Sequence, residues 1–143
     1  MKMVLKHLAL FVIFGAIYII IELLYRGHSH WTMFIVGGLC GVCVGLLNEI
    51  LPWNVPIWAQ AGIGAVVITA LEFACGVIVN IWLQWGVWDY SNTPFNILGQ
   101  ICLPFAFVWF VLAHVAIITD DYLRYLLFNE EKPRYTFWFN RSQ

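Results

Sequence analysis

The stretch that decides the fold is LEFACGVIVNIWLQWGVWDYSNTPFNILGQICL, residues 71–103. It carries one carboxylate, Glu72, within a long apolar run, then passes through an aromatic and polar turn and becomes apolar again near residue 97. An ionisable side chain at membrane depth is energetically costly, so its presence indicates a functional site. We therefore expect Glu72 to be a functional residue near the middle of a transmembrane helix.

The composition of the whole chain predicts a membrane protein. Of the 143 residues, 62% are hydrophobic and only 10% are charged, whereas soluble domains are about 45–50% apolar and about 25% charged. The net charge of −1 gives no indication of nucleic-acid binding. The length leaves room for a single membrane domain, residues 1–143, whose expected partner is the lipid bilayer.

Four apolar runs predict four transmembrane helices, at about residues 5–25, 33–51, 57–84 and 97–118. Each run is long enough to span a bilayer, which needs about 20 residues. The first run is longer than the apolar region of a signal peptide, so we expect it to be retained. Pro104 lies inside the fourth run and would kink a helix there.

The predicted fold class is an all-α integral membrane protein, a compact bundle of four transmembrane helices plus a short amphipathic C-terminal helix. That last helix would lie in an interfacial tail, residues 119–143, with Thr119, Asp120 and Asp121 at its capping positions. Gly37, Gly41 and Gly45 repeat at four-residue spacing on the second helix, which lets helix backbones approach closely. We expect a homo-oligomer, with a homodimer as the commonest closed form.

The basic residues predict the orientation. Only Arg26 lies in a turn on the side opposite the termini, whereas six basic residues flank the termini: Lys2, Lys6, Arg124, Lys132, Arg134 and Arg141. Lys and Arg are enriched in the cytoplasmic segments of membrane proteins. We therefore expect a multi-pass protein of the cell membrane with both termini cytoplasmic.

Polar side chains are expected to converge in the outer half of this bundle. Glu22 and Arg26 lie one helical turn apart, so they are placed to pair with each other, and this pairing is compatible with a site. Glu72 is protonated, hydrogen-bonded to Thr69 or Asn80, or facing a wet cavity. We predict an outward-facing polar site for a small solute or ion, whose ligand-binding residues are Glu22, Arg26, Glu72, Asn80, Asp89, Asn96 and Gln100.

Other patterns in the sequence are weaker. Cys40 and Cys43 have C-x-x-C spacing, but small residues are expected in a glycine-rich membrane helix. His28 and His30 have the chemistry of metal ligands, although a polar interfacial turn also accounts for them, and metal binding stays open. The lone His114 is expected to be packed and hydrogen-bonded. The sequence has no phosphate-binding or nucleophile motif, so we expect no cofactor and no catalytic residues.

Two groups of strings resemble a known family. The first group is ELLYRGHSHWTMFIVGGLC at residues 22–40 with GLLNE at 45–49. The second is Glu72 with WDYS at 88–91, PFN at 94–96 and GQICL at 99–103. They are similar to the "putative ABC-transporter permease" family of small bacterial membrane proteins, also called CmpB-like.

The resemblance implies a transporter or a transporter subunit, with other transporter subunits as partners. The alternative is a membrane-embedded enzyme or a lipid- or headgroup-binding module, and of these an enzyme is the less favoured. A carboxylate at midplane depth, such as Glu72, favours transport. Polar residues gathered in the outer turns favour the alternative.

Overall fold

The apolar runs form the long helices of the structure, a computed structural model that describes residues 2–139 apart from the side chain of Asn48. The helices are α1 at Lys2–Arg26, α2 at Trp31–Ile50, α3 at Ile57–Gly76 and α4 at Leu103–Phe128. A π-helix at Val77–Trp82 prolongs α3. By length and composition, α1, the prolonged α3 and α4 could each cross a membrane, and α2 is a shorter apolar helix.

The all-α membrane prediction is therefore confirmed in outline, while the number of four crossings stays a prediction. The end of the predicted tail, including Arg141, lies outside the described residues.

The start of the predicted fourth helix is wrong. Instead of a helix from residue 97, the chain forms a small antiparallel hairpin of β1, Asn96–Ile97, and β2, Ile101–Cys102. Leu98 and Gly99 turn the hairpin with φ angles of +52° and +68°, which an α-helix does not allow. Pro104 then falls in the first turn of α4, where its missing N–H has no helical partner to lose. Pro104 consequently does not interrupt a helix.

The separate C-terminal helix is also wrong, because α4 continues unbroken to Phe128. Asp120 and Asp121 lie inside α4 and are buried, not in a cap. Arg124, four residues after Asp120, pairs with it along the helix, and this pairing supports helical continuation. The helix ends at Asn129, whose φ of +56° is the left-handed conformation common after a last helical turn.

The helices pack in two pairs. α1 lies along α2, α3 lies along α4, and α2 also contacts both α3 and α4. The largest apolar cluster joins α2, α3 and α4 and includes Val44, Ala61, Ile68, Trp109 and Ile117. α1 and α4 have few close backbone approaches among the described residues, so a cleft remains between them.

The glycines of α2 allow close packing against other helices of the same chain. A side chain on Gly37 or Gly41 would collide with Tyr18 or Phe14 of α1, and one on Gly45 would collide with Asp120 of α4. The predicted close approach of helices at these glycines is therefore confirmed, and it is made within one chain. We call the end of the bundle with residues 27–30 and 83–102 the turn end, and the end with residues 51–56 and 129–139 the terminal end.

Candidate functional site

Glu72 is held by neutral donors from two other parts of the chain. It lies on α3 with only 3% of its surface exposed. The Tyr90 hydroxyl donates to Oε1 at 3.0 Å, and the Trp109 indole N–H donates to Oε2 at 2.8 Å. These partners replace the Thr69 and Asn80 that the sequence suggested. Within residues 2–139 no basic side chain pairs with Glu72, so its carboxylate is oriented but not charge-compensated.

Glu72 lies at the floor of a cleft between α1 and α4. The cleft consists of a deep cavity of about 100 Å³ that reaches Glu72 and a larger one of about 380 Å³ nearer the turn end. Tyr18, Met33 and Trp109 line both cavities, so the two adjoin. Most of the remaining lining is aliphatic or aromatic. We call the combined space the α1/α4 cleft.

Aromatic rings surround the carboxylate. Tyr18 lies 6.0 Å from Trp109, measured between ring centroids, and Phe105 lies 6.2 Å from Trp109. Tyr90 stacks on Phe105 at 4.7 Å. Two of these four rings also donate hydrogen bonds to Glu72. The site thus presents a carboxylate within an aromatic wall.

Glu22 and Arg26 line the cleft near the turn end and pair with each other at 2.8 Å. Ser29 also donates to Glu22 at 2.5 Å, and Arg26 donates to the Val87 carbonyl at 3.3 Å. The contact of Arg26 with Val87 ties the end of α1 to the segment that joins α3 to α4. Because the two charges are opposite and adjacent, this part of the cleft carries no net charge.

Asn80 and Gln100 hold the connection between α3 and α4 in place. The Asn80 amide donates to the Gln100 side-chain oxygen at 2.8 Å and accepts from the Val87 N–H at 2.7 Å. The Gln100 carbonyl accepts from the Trp88 indole at 3.0 Å. A side chain on Gly76 would collide with Gln100, so that glycine admits the network. Neither amide lines the α1/α4 cleft.

Asp89 and Asn96 shape the turn itself. Asp89 is exposed and accepts from the backbone N–H and the hydroxyl of Ser91. These two hydrogen bonds hold the pKa of Asp89 below its usual range. Asn96 donates to the Ser91 and Thr93 carbonyls and accepts from the Gly99 N–H at 3.1 Å. The structure therefore places Glu22, Arg26 and Glu72 at the cleft, Asp89, Asn96 and Gln100 in the turn that supports it, and Asn80 on the π-helix that leads into this turn. Ligand binding at each stays a prediction.

The weaker sequence patterns have local partners. His30 accepts from the Thr32 N–H at 3.3 Å and caps α2, while His28 contacts the Arg26 carbonyl. No group of three or more potential metal-ligating side chains occurs in the described part of the chain. His114 contacts the Phe110 carbonyl at 2.9 Å, as predicted.

A charge network at the terminal end was missed from the sequence. Arg124 pairs with Asp120 through Nε at 2.6 Å and with Glu49 of α2. Lys6 of α1 pairs with Glu49 at 3.1 Å and with Glu130 at 2.7 Å. The network therefore joins α1, α2 and α4. The i,i+4 spacing of Asp120 and Arg124 on an apolar stretch was the available signal.

A family model described as "Putative ABC-transporter type IV" matches residues 9–137. No curated protein matches the chain, and no solved structure does.

Proposed function

The chain belongs to the family described as "Putative ABC-transporter type IV", and from this premise we propose that it is a membrane transporter or transporter subunit that takes a small solute or ion at Glu72. Membership in this family together with long apolar helices indicates a transporter-related membrane protein. The binding role of Glu72 and the nature of the solute are the proposed part.

The observation that carries the proposal is that the buried carboxyl group of Glu72 has no basic partner within residues 2–139. The residue lies about 4 Å from the midpoint of the helix at residues 57–82, counting about 1.5 Å per residue. Its hydrogen bonds to Tyr90 and Trp109 fix the carboxylate without neutralising it. Charged groups at this depth normally pair with another charge or mark an ion or proton path. A cation or a proton reaching the cleft would supply the missing charge.

A second candidate function is a lipid- or headgroup-binding module. The specific observation in its favour is the apolar cleft between α1 and α4, which meets the surface at helices expected to face lipid. Under this alternative a lipid chain would fill the cleft near Glu22 and Arg26. Glu72 would then have no ligand to compensate, so the transporter proposal accounts for more of the site.

The proposed orientation places both termini in the cytoplasm and the turn end outside, because the turn end itself has no Lys or Arg and only Arg26, at the end of α1, adjoins it. Impermeant maleimide should label Ser29→Cys and Ser142→Cys from opposite sides of the membrane. Labelling of both from the same side would contradict this orientation. We also propose a homodimer and additional transporter subunits as partners. A monomer in native mass spectrometry from lipid nanodiscs would contradict the dimer.

The proposed function is tested with Glu72→Gln in proteoliposomes. Currents on a solid-supported membrane are recorded for protons, alkali cations and small organic ammonium ions. Wild type should give a current with at least one of them, and Glu72→Gln should abolish it. Glu131→Gln, an exposed carboxylate in the tail, is the matched control and should keep the current. Wild-type liposomes without any solute-dependent current would favour the lipid-binding alternative, and a current unchanged in Glu72→Gln would remove Glu72 from the mechanism.

A further inference from the structure

We infer that the α1/α4 cleft binds a hydrophobic organic cation, with the positive charge of the ligand against Glu72 and its apolar body against the aromatic wall. The inference rests on the proposed function, because it names the ligand class of the same Glu72 site. It follows from the charge, the lining and the depth of the cleft.

The charges of the cleft select a cation. Glu22 and Arg26 compensate each other at 2.8 Å, so the unbalanced charge among the lining residues is that of Glu72. An anion would be repelled by the Glu72 carboxylate, and a neutral ligand would gain no charge attraction from it.

The lining favours an organic cation over an inorganic one. Inorganic cations such as Ca²⁺ and Mg²⁺ require about six or more oxygen ligands at short distance. Here both oxygens of Glu72 already accept from Tyr90 and Trp109, and the described residues hold no metal-ligating cluster. An organic cation needs no such shell, since aromatic faces attract its charge within about 6 Å of the ring centroid. Tyr18 and Trp109 line both cavities of the cleft, and Phe105 lines the larger one.

The size and depth of the cleft favour a free molecule over a lipid headgroup. The cavity that reaches Glu72 has about 100 Å³, and it adjoins the larger one of about 380 Å³; the larger volume is within the range of pockets for drug-sized ligands, about 300–1,000 Å³. Glu72 lies about 4 Å from the midpoint of its helix, whereas a headgroup lies about 15 Å from the bilayer centre. With the midpoint of this helix at the bilayer centre, a lipid in its leaflet does not bring its ammonium group to Glu72. A hydrophobic cation dissolved in the membrane can enter between α1 and α4.

The test uses two probes of nearly equal size and opposite charge, tetraphenylphosphonium and tetraphenylborate. Equilibrium dialysis with purified protein in dodecylmaltoside measures saturable binding of radiolabelled tetraphenylphosphonium. We expect wild type to bind it, unlabelled tetraphenylphosphonium to compete and tetraphenylborate not to compete. Glu72→Gln should weaken binding by about tenfold or more, since the coulombic attraction between the phosphonium charge and the carboxylate is lost. Glu131→Gln should bind as wild type does.

A second variant keeps the test decisive if Glu72→Gln fails to fold. Phe105→Leu removes one ring of the wall and keeps the position apolar, and it should weaken binding by about threefold through the lost cation–π attraction. Folding of each variant is checked by circular dichroism and thermal melting. Equal binding in wild type, Glu72→Gln and Phe105→Leu would overturn the inference. So would competition by tetraphenylborate, or the absence of binding to folded wild type.

The results that would overturn this inference differ from those that would overturn the proposed function. Proton or alkali-cation currents without tetraphenylphosphonium binding would overturn the inference and support the proposed function. Charge-selective binding that depends on Glu72, without any solute-driven current, would support the inference and contradict transport by this chain alone.

Discussion

Glu72 and Asp120 are both buried carboxylates on helices, with exposed fractions of 3% and 0%, yet their partners differ. Asp120 faces the guanidinium of Arg124, which also reaches Glu49. Glu72 faces two neutral donors, Tyr90 and Trp109. The terminal end therefore compensates its carboxylate within the chain, whereas the α1/α4 cleft orients its carboxylate and leaves the charge unbalanced.

The difference agrees with a structural role for Asp120 and with the binding role proposed for Glu72. A buried ion pair becomes strongly unfavourable when one partner is removed, because the other charge is left without compensation. A carboxylate held by neutral donors can be replaced by an uncharged acceptor of the same shape at small cost. The two regions should therefore respond in opposite ways to the removal of charge.

The largest expected effect is at the terminal end. Arg124→Met keeps most of the side-chain volume but leaves Asp120 buried without its cation, so we expect a loss of about 3–5 kcal/mol in the free energy of unfolding. Unfolding in mixed detergent and SDS micelles measures it.

The double variant Asp120→Leu/Arg124→Met is the control and should recover most of the loss, since no unpaired charge remains. Wild-type stability in the single variant would show that the pair is not structural and would remove the contrast with Glu72.

A smaller effect tests how tightly Asp120 packs against α2. The Cβ of Gly45→Ala would collide with the Asp120 carboxyl group, so we expect a loss of about 1–3 kcal/mol from overpacking. Gly62→Ala is the matched control, because its Cβ would meet only Phe110, at 3.9 Å. The same unfolding assay compares them. Equal stability of the two variants would mean that α2 and α4 can separate freely at Asp120.

Asp89 provides an exposed carboxylate for comparison with the two buried ones. Its pKa in the folded state lies below the usual value because Ser91 donates to it. Ser91→Ala should raise that pKa toward the usual value, as followed by NMR of the labelled carboxyl carbon. Because the folded-state pKa is the lower one, the associated stabilisation is present at neutral pH and is lost as pH falls through it. An unchanged pKa in Ser91→Ala would contradict the hydrogen-bonding cause.

The apolar runs predicted much of the fold but not the hairpin at residues 96–102. Ile97, Leu98, Ile101 and Cys102 are apolar in either a hairpin or a helix, so hydropathy does not distinguish the two. The decisive features are the positive φ angles of Leu98 and Gly99. In α4, Asp120 and Asp121 are of a residue type that is common at helix caps, so the sequence predicted a cap at these positions. Their position inside α4 depends partly on the contact of Arg124 with Glu49, which lies 75 residues away in the sequence.

The candidate site was predictable in its charged residues but not in the donors that hold Glu72. Glu72 was identifiable because carboxylates are rare in apolar runs. Its donors Tyr90 and Trp109 are 18 and 37 residues away, and no local pattern pairs them with it. Asn96 and Gln100 were predicted to be ligands. In the structure they form hydrogen bonds within the turn, and these bonds depend on a backbone path that the sequence did not predict.

The measurement that tests the central contrast most directly is the free energy of unfolding of Glu72→Gln without ligand. The glutamine oxygen can accept from Trp109, and the Tyr90 hydroxyl can reorient to accept from the glutamine amide. We therefore predict a stability within about 1 kcal/mol of wild type, together with the loss of cation binding. A loss of stability as large as that of Arg124→Met would make Glu72 a structural residue like Asp120 and would contradict the account.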